Sequence, residues 1–168
     1  MPLMLHPYDR AAAVLYAHEW AYMRNPRYLN FDGIGGDCTN FASQCLYAGS
    51  QIMNFTPTFG WYYISAENRS PSWTGVEYFS DFLLRKENSA GPSAVEVSFK
   101  RALPGDLVQL SFGGVRYEHT PVIVYVGDVR DEGDILVAAH SNDADFRPLK
   151  SYEYERIRFL HIVGVWKP

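Results

Sequence analysis

The order of two sequence patterns predicts an α+β domain, in which amino-terminal helices pack on a small antiparallel β-sheet. Residues 8 to 94 carry helical periodicity and long loops, whereas residues 95 to 166 carry short β-branched runs separated by Gly, Asp and Pro. Helices followed by hairpin-connected strands are typical of an α+β fold rather than of alternating βαβ units. The length of 168 residues fits one domain spanning residues 1–168.

Three segments have the features of helices. Residues 8 to 24 place apolar side chains at helical spacing and end at an Asn-Pro pair, and residues 38 to 49 form a second run that closes on a glycine. A third helix is predicted to open at Thr74, because Thr74 and Glu77 have the spacing of a capping box. Residues 50 to 73, between the second and third helices, are predicted to form a long irregular loop.

Five short runs have the features of strands: VEVSF, GDLVQLSF, HTPVIVYVGD, DILVAAHS and IRFLHIVGVW. The third and fourth runs are predicted to form a hairpin that folds near residues 129 to 130. His119 and His140 are equidistant from that point and would lie opposite one another, with both imidazoles on one face of the sheet.

The charge of the chain argues against nucleic acid as its main partner. The net charge is −4, the isoelectric point is near 5.7, and no run of Lys or Arg supplies the basic surface that phosphates require. No stretch approaches the 18 apolar residues of a membrane span. The start, MPLMLHPYDR, lacks the features of a secretory signal. We therefore expect either a protein that stays inside the cell or a domain of a longer exported precursor.

Two cysteines are present, Cys38 and Cys45, and both fall in the predicted second helix. Seven residues of helix separate them by roughly 10 Å along its axis. A disulfide needs Cα atoms within about 7 Å, so the pair cannot form one. Two cysteines at this spacing are also a poor zinc site, and no metal or other cofactor is expected.

Cys38 has the setting of a nucleophile. It follows Gly-Gly-Asp at the predicted start of a helix, where exposed N–H groups and the helix dipole favour a thiolate and can stabilise an oxyanion. A thiol nucleophile needs a base, usually histidine. His119 and His140, paired as described, would supply that base and a group that orients it. Asn142 has the same strand parity as His140 and is the alternative orienting residue.

Other residues near the predicted site allow two interpretations. Asp37 is expected to cap the second helix or to lie near the substrate. Trp61, Tyr63 and Trp73 belong to the irregular loop and are candidates for a substrate-binding wall. An aromatic plug in the core beneath that loop is the competing interpretation.

The segment NPRYLNFDGIGGDCTNFASQCLYAGS resembles the "Putative amidase domain" family of bacterial proteins, within the papain-like cysteine peptidase superfamily. The resemblance extends to YDRAAAVLYAHEWA, WYY, SPSWT, GDLVQL and AAHSND, and so covers most of the chain. It implies a papain-like fold with Cys38 as nucleophile and His119 as base. Relatives in the superfamily include cell-wall amidohydrolases and murein endopeptidases, which implies a peptide or peptidoglycan-type substrate.

The resemblance therefore implies a cysteine amidase or peptidase that works through an acyl-enzyme. Two alternatives remain open at this point: an acyltransferase that uses the same Cys-His pair, and a non-catalytic binding module that keeps the fold. Hydrolysis and acyl transfer need the same residues, so the sequence does not separate them. Neither the substrate nor the oligomeric state follows from the residues.

Overall fold

A computed structural model describes residues 1–128 and 132–168. The turn expected near residues 129 to 130 lies outside the described residues. Four α-helices occur in the described part of the chain: α1 (Arg10–Trp20), α2 (Cys38–Ser50), α3 (Pro71–Thr74) and α4 (Val76–Leu83). They precede all but the first of the strands, whereas the sequence predicts three helices ahead of every strand; α3 is the additional helix and begins within the predicted loop.

Seven strands of the described chain form one sheet, and every pair of neighbours is antiparallel. These are β1 (Met4–His6), β2 (Gly91–Val97), β3 (Leu107–Ser111), β4 (Val122–Val126), β5 (Ile135–Ala139), β6 (Ala144–Pro148) and β7 (Arg156–Lys167). The strand order is β1-β7-β3-β4-β5-β6, and β2 also pairs with β7. The α+β prediction is confirmed.

Two of these strands, β1 and β6, are not predicted by the sequence pattern. β1 has three residues, and β6 has the sequence ADFRP, which has little β-branched character and ends in proline. Strands of this kind are typical of sheet edges, where one side needs no partner. β6 is important for the site because it forms the outer edge beside β5.

The start of α2 is predicted correctly at Cys38, but its end is not. Gly49 lies inside the helix, and Gln51 takes the left-handed conformation (φ 58°) while its N–H donates to the carbonyl of Tyr47. Gly49 is required for space, because a Cβ there would lie 2.5 Å from the Tyr8 ring. The missing side chain allows the segment before α1 to lie against α2.

The predicted capping box is wrong. Thr74 ends α3, and Gly75 is the residue before α4, with no side-chain cap. The hydroxyl of Thr74 accepts from Arg69 Nε at 3.2 Å, and Glu77 Oε1 accepts from the N–H of Tyr117 at 3.2 Å. The two side chains therefore form hydrogen bonds with residues outside α4 and do not cap the start of that helix.

Two hydrophobic cores lie on opposite faces of the sheet. The larger one joins α1, α2 and α4 to one face, and includes Phe41, Leu46, Trp61, Trp73, Phe79, Leu83, Val122 and Leu160. The smaller one covers the other face and includes Val108, Leu110, Ile123, Ile135, Val137, Leu149 and Phe159. Burial in the larger core fixes α2 against the sheet, which places the start of that helix beside the strand connections.

Among the described residues, no helix has the length and apolar character needed to cross a membrane.

Candidate active site

A groove of about 700 Å³ opens beside the first residue of α2. Its walls come from the start of α2, the β3–β4 connection, the segment after β5 and the segment from β6 to β7. The lining residues are Gly35, Gly36, Asp37, Cys38, Phe112, Glu118, His119, Ser141, Asn142, Arg147, Ser151, Tyr152 and Glu153. The groove therefore brings together Cys38, His119 and Asn142 from three distant parts of the sequence.

The thiol of Cys38 lies against the backbone that carries His119. Its sulfur is 3.8 Å from the carbonyl oxygen of Glu118 and 3.7 Å from the Thr39 hydroxyl. The hydroxyls of Thr39 and Thr120 are 3.3 Å apart, which joins the first turn of α2 to the strand connection. The residue remains partly exposed in the groove.

Burial of the sulfur raises the pKa of the Cys38 thiol above its ordinary value. Hydrogen bonds from the Thr39 side chain and from the backbone of Thr120 and Thr39 act in the opposite direction but do not outweigh burial. The sequence predicts a thiolate stabilised by the helix terminus. In the structure the neutral thiol is the favoured form near pH 7.

His119 is almost fully buried, with 9% of its surface exposed. Its backbone pairs with Leu110 of β3, and its ring lies 5.5 Å from the Tyr152 ring and 6.3 Å from the Phe112 ring, between centroids. Burial, with a smaller contribution from the positive charge of Arg147, lowers the pKa of His119 to about 4. The imidazole is therefore neutral near pH 7 and available to accept a proton.

The wall next to Cys38 is formed by backbone. Gly35 and Gly36 have φ values of 90° and 99°, which favour glycine, and a Cβ at either position would have no atom within 4 Å. Within residues 1–128 and 132–168, the N–H of Cys38 bonds to no backbone carbonyl. This N–H belongs to the first residue of a helix and is free to bind an oxyanion.

Asp37 precedes α2 but does not cap it with its side chain. Oδ1 accepts from the N–H of Phe31 and from the Asn40 side chain, each at 2.9 Å. Oδ2 lies 2.6 Å from His140 Nδ1 and 3.5 Å from Arg24 Nε. The carboxylate is 1% exposed and both of its oxygens are bonded within the protein, so it anchors the helix start.

His140 does not lie beside His119, and the predicted strand register is wrong. β4 and β5 pair Val122 with Ala138, so continuing the ladder would set His140 across from Thr120. A shift of one residue moves a side chain to the other face of a sheet. His140 is accordingly buried behind Cys38, where its ring stacks on Phe41 with centroids 4.0 Å apart.

A network of charged side chains surrounds the Asp37–His140 pair. Arg24 donates to both carboxylate oxygens of Asp143 at 2.9 Å and to Asp32 at 2.6 Å, and its Nη1 lies 3.1 Å from His140 Nε2. The Ser141 hydroxyl donates to Asp32. The segment after β5 is thus fastened to the loop before α2, which fixes two walls of the groove relative to each other.

Asn142, the alternative orienting residue, lines the groove together with His119. Its φ of 53° is in the left-handed region, where asparagine is one of the residues best tolerated. Of the two sequence-predicted orienting residues, Asn142 is the one that the structure places on the groove surface.

The three aromatic residues predicted as a substrate wall lie in the core. Trp61 and Trp73 have no exposed surface, Tyr63 is 9% exposed, and none of them lines the groove formed by the described residues. The indole N–H groups donate to Ser43 and Asn40 of α2, each at 3.0 Å. These bonds allow both indoles to be buried, so the core interpretation is the correct one.

Neither cysteine is in a disulfide, as predicted. Among the described residues, no group of three or more His, Cys, Asp or Glu side chains is arranged to hold a metal ion.

The groove places a cysteine at the start of a helix and a histidine of the β3–β4 connection on one surface of an α+β domain. The chain belongs to the family described as "Putative amidase domain", whose model matches residues 7–163. Membership assigns the chain, at a coarse level, to the hydrolases of amide bonds.

One curated relative is the uncharacterized protein YhbB of Bacillus subtilis (strain 168), which is 37% identical over 168 aligned positions. The match covers 93% of this chain and 50% of YhbB, so the chain spans about half the length of that relative. No solved structure matches the chain significantly.

Two site features escaped the sequence analysis: the Arg24 network and Arg147. Arg24 lies 116 residues from His140, and Arg147 is on the unrecognised strand β6. The motif AAHSND carries the only local signal, since it places His140, Asn142 and Asp143 within four residues.

Proposed function

We propose that the chain is a cysteine-dependent amide hydrolase that acts on a peptide or peptidoglycan-type substrate through an acyl-enzyme. The observation that carries the proposal is the shared groove of Cys38 and His119, with the sulfur against the backbone of residue 118. Membership in an amidase family agrees with this chemistry at a coarse level. The groove is open, and its lining is divided about equally between polar and apolar surface, which suits an extended peptide better than a compact apolar ligand.

The proposed reaction begins from a neutral thiol and a neutral imidazole. His119 accepts the proton of Cys38 as the sulfur attacks the amide carbonyl, so the charged pair forms only during attack. The oxyanion binds to the N–H of Cys38. His119 then donates its proton to the leaving amine, and a thioester remains on Cys38.

Water completes the proposed cycle. His119 removes a proton from a water molecule, which attacks the thioester, and the sulfur leaves with the proton. Asn142 is the proposed orienting residue for His119, because it shares the groove surface, whereas His140 is committed to Asp37 behind the site. His140 acts in this proposal as a positioning residue for the segment before Cys38.

The test is release of new amino groups and of peptide fragments from a muramidase digest of bacterial peptidoglycan. Cys38→Ala is expected to lower the rate at least about 10³-fold, because it removes the nucleophile. Cys45→Ala is the matched control, since Cys45 lies on the same helix and is 1% exposed in the core. Equal loss in both variants, or full activity in Cys38→Ala, would reject the cysteine mechanism.

Mass spectrometry of rapidly quenched reactions separates hydrolysis from acyl transfer. An adduct on Cys38 shows the acyl-enzyme. Products that contain water identify a hydrolase, whereas products joined to an added amine identify an acyltransferase. A folded protein with neither adduct nor product, on peptidoglycan and on general peptide libraries, would leave the binding-module alternative.

A further inference from the structure

Arg147 is the single Lys or Arg among the described residues that line the groove. It lies on β6, whose register sets it opposite Val137 of β5. The ring of Tyr152 lies between the two side chains, with its centroid 3.6 Å from the central carbon of Arg147 and 5.5 Å from the centroid of the His119 ring, so the guanidinium lies near the imidazole. A fixed cation next to the proposed base influences which groups a substrate can place there.

The guanidinium is held in place by neutral partners. Its central carbon lies 3.6 Å from the centroid of the Tyr152 ring, and Nε donates to the Ser151 hydroxyl at 2.7 Å. Nη2 makes a long bond of 3.4 Å to the Ser151 carbonyl. Stacking on Tyr152 and the hydrogen bond to Ser151 restrict the orientation of the guanidinium group. Its outer N–H groups remain available to bind a ligand.

No carboxylate of the described residues lies within ion-pair distance of Arg147. Three acidic residues line the groove with it, Asp37, Glu118 and Glu153, and the Asp37 carboxylate is 1% exposed and bonded to Asn40 and His140. Glu118 accepts from the N–H of Phe112 at 2.9 Å, so its carboxylate is engaged with the β3–β4 connection. Among the described residues, Arg147 is therefore an oriented cation without an anionic partner in the groove.

We propose that Arg147 binds a free carboxylate of the substrate, and that the groove selects amides in which such a carboxylate lies near the scissile bond. The proposal rests on the proposed function, and it names the substrate class of the same site. A guanidinium fork matches a carboxylate in geometry and charge, which a neutral amide cannot do. The nearby acids Glu118 and Glu153 oppose the binding of anions, so we expect a moderate selectivity.

Protection of Cys38 from iodoacetamide tests this inference without requiring turnover. The probes are N-acetyl-Ala-Ala with a free carboxylate and its carboxamide, each prepared from L- and from D-alanine. Alkylation of Cys38 is followed by mass spectrometry at a fixed pH of 8. In the parent chain, the free acid is expected to protect at a concentration about fivefold lower than the amide does.

Three variants identify the source of the preference. Arg147→Gln should give equal protection by acid and amide, and Arg147→Lys should keep part of the preference because it retains the charge but not the fork. Arg101→Gln is the matched control, since Arg101 is an exposed arginine outside the groove, and it should behave as the parent. The alkylation rate without a probe shows whether each variant keeps the site intact.

Equal protection by acid and amide in the parent chain would overturn the inference, and so would a preference that survives Arg147→Gln. Absence of protection by any probe would also count against it, because each free acid presents the carboxylate next to an amide that the proposal requires. A carboxylate preference in a chain that hydrolyses no amide would support the binding site while rejecting the proposed function. Hydrolysis of amides with no preference for a carboxylate would support the proposed function and reject the carboxylate-binding site.

Discussion

Asp37 and Cys38 are consecutive residues whose side chains lie in opposite environments. Asp37 faces a buried network with Phe31, Asn40, His140 and Arg24, and its carboxylate is 1% exposed. Cys38 is partly exposed, and its sulfur has only long contacts of 3.7 and 3.8 Å. The side chain of Asp37 is therefore held by short hydrogen bonds, whereas the thiol of Cys38 is not.

The two histidines repeat this difference. His140 has bonded partners at both ring nitrogens, at 2.6 Å to Asp37 and 2.9 Å to the Trp20 carbonyl. His119 has ring neighbours at 5.5 and 6.3 Å, and within the described chain no hydrogen bond to its imidazole. We therefore expect changes at His119 to affect activity, and changes behind Cys38 to affect stability.

The largest expected effect comes from His119→Ala. Loss of the general base should lower the rate of amide hydrolysis about 10³-fold, because proton transfer to and from the reacting groups is removed. The free energy of unfolding, measured in urea, should fall by about 1 to 2 kcal/mol, because the buried ring leaves a cavity but no hydrogen bond is lost. A large loss of stability with retained activity would reverse the assignment of the two histidines.

Asp37→Ala tests whether the buried network behind Cys38 contributes to stability. It leaves the N–H of Phe31, the imidazole of His140 and part of the Arg24 charge without a buried partner, so we expect a loss of about 3 kcal/mol in stability. The measurement is urea denaturation followed by fluorescence. Asp81→Ala is the control, because Asp81 is exposed on α4 and should change stability by about 0.5 kcal/mol or less.

The dependence of stability on pH should reveal the titration of His119. Its pKa falls from an ordinary 6.5 to about 4 on folding, so between these values the unfolded chain binds a proton that the folded chain does not. The contribution of neutral His119 to the free energy of unfolding is therefore fully present above about pH 6.5. It is lost as the pH falls through 4. The largest possible loss is about 3 kcal/mol.

The measurement for this pH effect is the stability difference between the parent and His119→Gln, recorded from pH 7 to pH 4. The parent should lose stability faster than the variant over this range. Activity should also persist to about pH 4 to 5, since the base is neutral above its pKa. Activity that is lost around pH 6.5 would show that the imidazole titrates as an exposed histidine does.

The smallest expected effect concerns the thiol at rest. Burial raises the pKa of Cys38, so its alkylation by iodoacetamide should be slow near pH 6 and rise through pH 9. His119→Ala should leave this profile nearly unchanged, because both groups are neutral before a substrate binds. A rate plateau well below pH 8.5 that disappears in the variant would instead establish a resting thiolate–imidazolium pair.

Local signals in the sequence predicted the placement of Cys38, whereas long-range contacts could not be predicted. Gly-Gly-Asp before a helical run places Cys38 at a helix start, whatever the rest of the fold does. His140 was misplaced because its face depends on the β4–β5 register, and a one-residue difference reverses it. Sequence periodicity indicates that a residue is buried but not how deeply. For this reason Trp61 and Trp73 are compatible, from the sequence, with a substrate-binding wall and with the hydrophobic core.

Arg147 illustrates the remaining limit. Its position depends on β6, an edge strand of low β-propensity that the sequence pattern did not reveal. The Arg24 network was equally hidden, because its charges come from segments more than 100 residues apart. The family resemblance implied Cys38 and His119 as the nucleophile and base that we propose, but carried no information on these two arginines.

The glycine pair beside Cys38 has a consequence for engineering the groove. Gly35 and Gly36 add no side chains to their wall, so a ligand meets peptide groups there, which are chemically alike in any protein. We expect discrimination between ligands to depend on the stretch from residue 147 to residue 153, where Arg147 on β6 and Tyr152 and Glu153 after it line the groove. A library confined to that stretch would change substrate choice while leaving the helix that carries Cys38 intact.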